Sequence, residues 1–309
     1  MGDAKKTEPL LLHALPPSKL KPGDKVRFIS PASTPNRDAV LRSAETLKRW
    51  GLAVDYGEHA FAKEGPFAGS DAQRTADLNA ALRDPSVRAI FATRGGRGCY
   101  RIADRIDFTA VRSDPKLLIG FSEITILHLM LWKQCRLPGL HGAVRAEDGD
   151  GLHERANAML RAVLMETGRL EIAADDNEAT RTLTTGGTAK GPLLGGNLEL
   201  IATAAGWALP DLTGAVLLLE GVGLRLGQLD RMLTMLRQAG HFNGIAGIAI
   251  GQFTDCASGT VGMLRDQLGR LGVPMLGGLP LGHGATPLIT PIGPQAQLDA
   301  DRGVLAVDY

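Results

Sequence analysis

The expected architecture is α/β in two domains, a parallel-sheet domain followed by a mixed α/β domain. Three features of the 309-residue sequence point to it. From Lys25 to about Leu131, short apolar runs of strand length alternate with segments whose apolar residues recur at helical spacing. That alternation feeds a parallel sheet with helices on both faces. Over 171–188 the chain turns rich in Thr, Ala and acidic residues, with a Gly186-Gly187 break. Beyond Gly191, glycine-rich turns separate further apolar runs. The expected division is a flexible leader over 1–20, a first domain over 21–165, a connection over 166–190 with room for a hairpin, and a second domain over 191–309.

Lys21-Pro22-Gly23-Asp24 is a turn signal, 25–30 the first strand, and Pro31-Ala32-Ser33 the loop that closes it. Val40, Leu41, Ala44 and Leu47 give 38–50 a helical period, and Gly51 stands just past its end. A second strand covers 53–56. Ser70-Asp71 opens a helix to about Arg83, which Asp84-Pro85 stops. The third strand, 87–93, delivers Arg94-Gly95-Gly96-Arg97-Gly98. A helix is expected from Cys99 to about Ile106, then a strand ending at Gly120 and a helix through Ile124, Leu127, His128 and Leu131. This order is flavodoxin-like, and in such sheets ligands sit beyond the carboxyl ends of the strands. The loops 94–98 and 120–123 both fall at that edge. A helix over 153–164 follows. In the second half, Leu193-Leu194-Gly195-Gly196-Asn197-Leu198 is read as opening a helix. Next come a strand over 214–219 ending in Glu220, a helix over 228–240, a strand over 245–250 and a helix over 261–271. Short β-runs span 288–307.

Composition narrows the function classes. Thirty-four basic and 33 acidic side chains nearly cancel, and no basic stripe suggests a nucleic-acid partner. No apolar run approaches the length of a membrane span, and Leu10-Leu11-Leu12 is too short for a secretory signal. Cys99, Cys135 and Cys256 are sparse, odd in number and widely spaced. They suit a reducing cytoplasm rather than a disulfide framework or a zinc site.

The chemistry centres on Leu117-Leu118-Ile119-Gly120-Phe121-Ser122-Glu123-Ile124-Thr125. A strand that breaks at glycine and runs directly into a helix puts Ser122 in a sharp turn. Such a turn exposes a hydroxyl above the sheet and aims helix N–H groups at what it attacks. The match to the G-x-S-x-G elbow is partial, because Ile124 holds the second glycine position, and a helix-capping serine is the plain alternative. A serine nucleophile needs a base, itself oriented by a carboxylate. Glu220 closes the apolar run Val216-Leu217-Leu218-Leu219, where an unpaired acid is costly; Asp255 is its rival. Among seven histidines His283 stands out, flanked by Gly282 and Gly284, with His141 second. His128 reads as packed, and His13, His59, His153 and His241 lack supporting context. The backbone N–H groups of Gly96 and Glu123 would form an oxyanion hole. The 94–98 loop lacks the spacing of either nucleotide-binding glycine fingerprint.

These blocks, with 21–24, 30–33, His141-Gly142, Gly195-Gly196-Asn197-Leu198, Glu220-Gly221-Val222-Gly223, Asp230-Arg231, Gly282-His283-Gly284 and Pro291-Ile292-Gly293, occur in one order. In that order the sequence resembles the LD-carboxypeptidase family of serine peptidases, which includes the microcin C immunity proteins. The resemblance runs from Lys21 to about Asp299. It implies a serine carboxypeptidase that releases terminal D-alanine from murein tetrapeptides in cytoplasmic cell-wall recycling. Ser122 would be nucleophile, Glu220 orienter and His283 base, with the site between the domains, no metal or cofactor, and a homodimer. The alternative is an immunity-like amidase that cleaves peptidyl nucleotides. Free-carboxylate recognition calls for arginine, and Arg94 and Arg97 are the candidates. The chain departs from the family pattern at Arg97, Glu123, Gly221, Leu224 and Gln228, positions expected to touch the cleft walls.

Overall fold

The first sheet runs β11-β5-β4-β3-β1-β2 in space. Its strands are β1 (Lys25–Ile29), β2 (Ala53–Tyr56), β3 (Val87–Ala92), β4 (Leu117–Gly120), β5 (Gly139–His141) and β11 (Thr290–Ile292). The first five are parallel; β11 joins β5 antiparallel. The molecule is a computed structural model that describes residues 14–147 and 153–309. Of the leader, 1–13, with Leu10-Leu11-Leu12 and His13, lie outside the described residues. Its described end is tied down: Leu15 N–H donates to the Arg136 carbonyl, and Leu20, itself buried, donates to that of Leu164.

Helices α1 (Arg37–Arg49), α2 (Asp71–Arg83), α3 (Phe108–Ser113), α4 (Thr125–Cys135) and α5 (Glu154–Met165) accompany this sheet. Local chemistry sets their starts. Asn36 caps α1, and Ser70 with Gln73 forms a reciprocal capping box on α2. Two expectations fail here. Residues 99–106 form two 3₁₀ turns, Cys99–Arg101 and Ala103–Arg105, not one helix. Ile102 leaves the helical region at φ −126°, and this break lets Ile102, Ala103 and Ile106 all face the core. Helix α3 was not read from the sequence.

The second sheet runs β10-β9-β8-β7-β12-β13-β6. It comprises β6 (Arg169–Ala173), β7 (Thr188–Asn197), β8 (Val216–Val222), β9 (Gly247–Thr254), β10 (Met275–Leu276), β12 (Gln295–Asp299) and β13 (Val304–Asp308). Strands β7 to β10 are parallel; β12, β13 and β6 continue antiparallel. Helices α6 (Leu198–Ala204), α7 (Leu226–Gln238) and α8 (Thr260–Gly269) pack beside it. Residues 193–197, expected to begin a helix, belong to β7 instead, and α6 starts only at Leu198 under an Asn197 cap. Parallel pairing of Leu193–Asn197 with β8 overrides the local glycine signal. The stretch expected as a connection, 166–190, contains β6 and the first residues of β7, both in this sheet.

The two sheets share their cores. One apolar cluster joins Ile29, Leu118 and Leu131 to Leu194, Leu219 and Leu236; the other joins Val26 and Leu140 to Leu193, Leu298 and Leu305. Helix α4 packs on α6 and β7, and Asn197 N–H donates to Thr125 Oγ1 at 3.1 Å. The turn at Ser122 is therefore fixed against the second sheet as well as its own. Among the described residues no helix is long and apolar enough to cross a membrane.

Candidate active site

Strand β4 ends at Gly120, and within two residues the chain turns into a 3₁₀ turn, Ser122–Ile124, that runs on into α4. Ser122 sits at φ +62°, a left-handed conformation that costs an L-residue energy and persists only when its surroundings impose it. They do so by close packing. A Cβ on Gly120 would stand 2.8 Å from the Ile124 side chain, so the strand can pass over the helix start only as glycine. Gly95 lies equally close on the other side: a Cβ there would meet Ser122 Cβ at 2.8 Å, Oγ at 3.0 Å and Glu123 N at 3.2 Å. Gly95→Ala is accordingly expected to displace the Ser122 hydroxyl and cut turnover on the order of 100-fold, by analogy with misplacing a reacting group by about 1 Å. Circular dichroism and kcat on the same sample check this; a near-wild-type rate would show that the contact does not position the serine.

Glu123, directly after the serine, turns inward. Its Oε1 accepts the N–H groups of Gly98 at 2.9 Å and Cys99 at 3.1 Å. Burial pushes its carboxyl above the usual range while these amide bonds pull the other way. Glu123 thus ties the glycine loop to the serine turn by its side chain. Arg97 N–H donates to Ser33 Oγ at 3.0 Å and fixes the loop's other flank. Between them Gly96 lies at φ +112°, its N–H without a partner among the described residues.

Glu220 was expected to close β8, yet the strand continues to Val222. The pairing of β8 with β9 slips between Leu219 and Gly221, so Glu220 sits at a bulge. Bulges re-aim a side chain out of the ladder. This one leaves Glu220 fully buried, with Oε2 2.7 Å from His283 Nδ1 and Oε1 without a partner among the described residues. With Nδ1 held by the carboxylate, Nε2 is the ring nitrogen left for other chemistry. Gln252, at the end of β9, holds the histidine loop: its N–H donates to the Leu281 carbonyl, and its Oε1 accepts Gly284 N–H at 2.8 Å. Sequence reading missed Gln252; its only signal was a polar side chain two residues past the apolar run that ends at Ile250. Asp255, the rival acid, is an exposed loop residue at φ +52°.

Ser122 and His283 open onto one cavity of about 460 Å³, along with Arg94, Gly95, Gly96, Phe121 and Arg145. The Phe121 ring lies 5.1 Å from that of His283. Serine, imidazole and buried carboxylate thus converge from two different sheets. Among the described residues no group of three His, Cys, Asp or Glu forms a metal-ligand set.

Comparison with known proteins matches residues 26–142 to the LD-carboxypeptidase N-terminal domain and 190–298 to the LD-carboxypeptidase C-terminal domain. The chain belongs to the LD-carboxypeptidase family. The murein tetrapeptide carboxypeptidase of Pseudomonas aeruginosa is 31% identical, over 90% of this chain and 94% of that protein. Among solved structures, the muramoyltetrapeptide carboxypeptidase of Oxalobacter formigenes superposes with a TM-score of 0.79 at 24% identity, covering 92% of this chain and 98% of that one. The microcin C7 self-immunity protein MccF, in complex with aspartyl sulfamoyl adenosine, gives 0.84 at 21%, covering 96% and 98%. These two likenesses are of fold.

The positions read from the resemblance as departures, and expected to touch the cleft walls, do not line the cavity that holds Ser122. None of Arg97, Gly221, Leu224 and Gln228 lines the cavity. Gly221, Leu224 and Phe253 pack on one another, and Gln228 accepts the Arg225 N–H as part of the α7 cap. Of the two candidate arginines, Arg94 lines the cavity and Arg97 is exposed outside it.

His141 and His128 are both buried beneath the site of this LD-carboxypeptidase. Burial lowers the His141 pKa to about 3 and that of His128 to about 4. Among the described residues His141 has no partner on either ring nitrogen; His128 Nε2 lies 3.2 Å from the Leu118 carbonyl. Each binds fewer protons folded than unfolded, so stability is full above about pH 6.5 and falls as pH drops toward 4 and 3. His128 alone accounts for on the order of 3 kcal/mol of that fall at about 1.36 kcal/mol per pH unit. The thermal midpoint is expected to drop steeply between pH 6.5 and 4, and less so in His128→Gln. Parallel curves for the two proteins would refute this origin.

Proposed function

We propose that this LD-carboxypeptidase hydrolyses the L,D peptide bond of murein tetrapeptides and releases the terminal D-alanine. The observation that carries the reading is the Glu220–His283 pair at 2.7 Å, which opens onto the cavity that also holds Ser122 in a left-handed turn. In this reading His283 Nε2 takes the proton as Ser122 Oγ attacks the scissile carbonyl. Glu220 fixes the Nδ1–H tautomer and stabilises the imidazolium. The N–H groups of Gly96 and Glu123 hold the oxyanion, where losing one donor typically costs about 2.7–4 kcal/mol of barrier. The imidazolium gives its proton to the leaving amine, D-alanine departs, and water resolves the acyl-enzyme.

The name of the Pseudomonas relative supports the murein tetrapeptide as substrate. The three cysteines are free and two of them buried, which suits a cytoplasmic enzyme of cell-wall recycling. The family resemblance supports a homodimer.

The test is incubation with L-Ala-γ-D-Glu-meso-diaminopimelate-D-Ala, following free D-alanine, beside the same peptide ending in L-alanine. Release from the first alone is the expected result. Release from neither, with cleavage of an aminoacyl sulfamoyl nucleoside analogue's hydrolysable counterpart, would move the reading to the peptidyl-nucleotide amidase.

A further inference from the structure

We propose that Arg145 is the residue that binds the substrate's terminal carboxylate, and so restricts the enzyme to peptides with a free C-terminus. The inference rests on the carboxypeptidase reading above and names the group that makes it a carboxypeptidase.

The cavity's charge is one-sided. Arg94 and Arg145 line it, and among the described residues no Asp or Glu does. The two arginines differ in what holds them. Arg94 is exposed, and its guanidinium already donates to the Thr34 carbonyl at 3.3 Å. Arg145 is partly buried, and its guanidinium has no hydrogen-bond or carboxylate partner among the described residues. Burial disfavours its charge. A desolvated cation without a counter-ion is costly to keep, and an open cavity wall is where an anionic ligand would offset that cost.

Arg145 is also held in place. Its N–H donates to Asn157 Oδ1 at 3.1 Å, and its carbonyl accepts Asn157 Nδ2 at 3.0 Å and Thr46 Oγ1 at 3.2 Å. Two helices, α5 and α1, thereby clamp its backbone from both sides. Its Cζ lies 5.7 Å from the centre of the Phe121 ring, and that ring is 5.1 Å from His283. Guanidinium and catalytic imidazole flank one aromatic ring, next to the serine in the chain. A short leaving group seated on this ring would present its carboxylate to Arg145 while its amide nitrogen stays near His283. Guanidinium binds a carboxylate through two parallel N–H···O bonds, which ammonium cannot reproduce.

The experiment compares wild type, Arg145→Gln and Arg145→Lys on the murein tetrapeptide and on its C-terminal carboxamide. Both variants leave the backbone clamp intact, and thermal midpoints confirm folding. Expected is a KM for the free acid raised on the order of 10- to 100-fold in Arg145→Gln, less in Arg145→Lys, with little change for the amide. An equal effect on acid and amide, or no effect on the acid, overturns the assignment. Calorimetric binding of both peptides to Ser122→Ala and to Ser122→Ala/Arg145→Gln reads the anchor without turnover. If wild type releases no D-alanine, yet Ser122→Ala prefers the acid and loses that preference with Arg145→Gln, the anchor stands and the substrate reading fails. Failure of either peptide to bind overturns the anchor too.

Discussion

Ser122→Ala is expected to lower D-alanine release on the order of 10⁴- to 10⁶-fold, the scale of losing a nucleophile whose partners act as a unit with it. The fold is expected to survive. Alanine keeps the Cβ that packs against Gly95 and removes only the hydroxyl that opens onto the cavity. Ser122 Oγ makes no hydrogen bond among the described residues, so the thermal midpoint should move little. Binding of the tetrapeptide should persist, because the cavity wall is unchanged. The decisive comparison is single-turnover release against peptide binding on the same preparation. A variant that binds but does not cleave supports Ser122 as nucleophile. Residual release within 100-fold of wild type would remove it from that role.

The second large effect is expected from Glu220→Gln, on the order of 10⁴-fold in kcat. The reason is tautomeric. Glu220 is buried with Oε2 2.7 Å from His283 Nδ1; in the proposed mechanism the carboxylate accepts the Nδ1–H and keeps Nε2 free to take the serine proton. An amide in the same place can donate to Nδ1 and so favour the tautomer with its hydrogen on Nε2, which is no base. It also buries an amide group with too few partners, at about 1–3 kcal/mol. A fall in kcat with a modest loss of stability is the expected pattern. If the rate fell only in proportion to the unfolded fraction, the carboxylate would be structural, and the acid partner would have to be sought elsewhere.

Much of the site was legible before any coordinates. Gly120, Ser122 and the helical period behind them announce a strand–turn–helix elbow, and the elbow is there, with Ser122 left-handed. Ile124, which spoiled the match to the two-glycine elbow, turns out to explain Gly120: their close approach is what needs a residue without a side chain. Glu220 and His283 could be chosen from cost and context, an acid after four apolar residues and a histidine between glycines. Their partnership could not be read, because 63 residues separate them and the contact depends on a bulge that only the pairing of β8 with β9 creates.

Where reading failed, long-range pairing outweighed local signal. Gly195-Gly196 looks like a helix opening, but pairing with Leu218 and Leu219 of β8 makes it strand. Residues 290–292 look like another run of second-half β-structure, yet β11 crosses back to pair with β5 in the first sheet. Arg97 looked as suitable as Arg94 for a carboxylate, and Arg145 carried no motif at all. The placing of Arg145 at the cavity follows from how Asn157, Thr46 and Phe121 surround it, and these come from α5, α1 and the turn after β4.

Periodicity, turn residues and side-chain chemistry therefore determined the α/β alternation, the serine turn and the selection of Glu220 and His283 as candidates, because each depends on neighbours a few residues away. The bulge at Glu220, the return of β11, the burial of Glu123 against the glycine loop and the orientation of Arg145 were decided by packing between distant segments. Such contacts depend on the shape of the whole core, and no short window of sequence contains it.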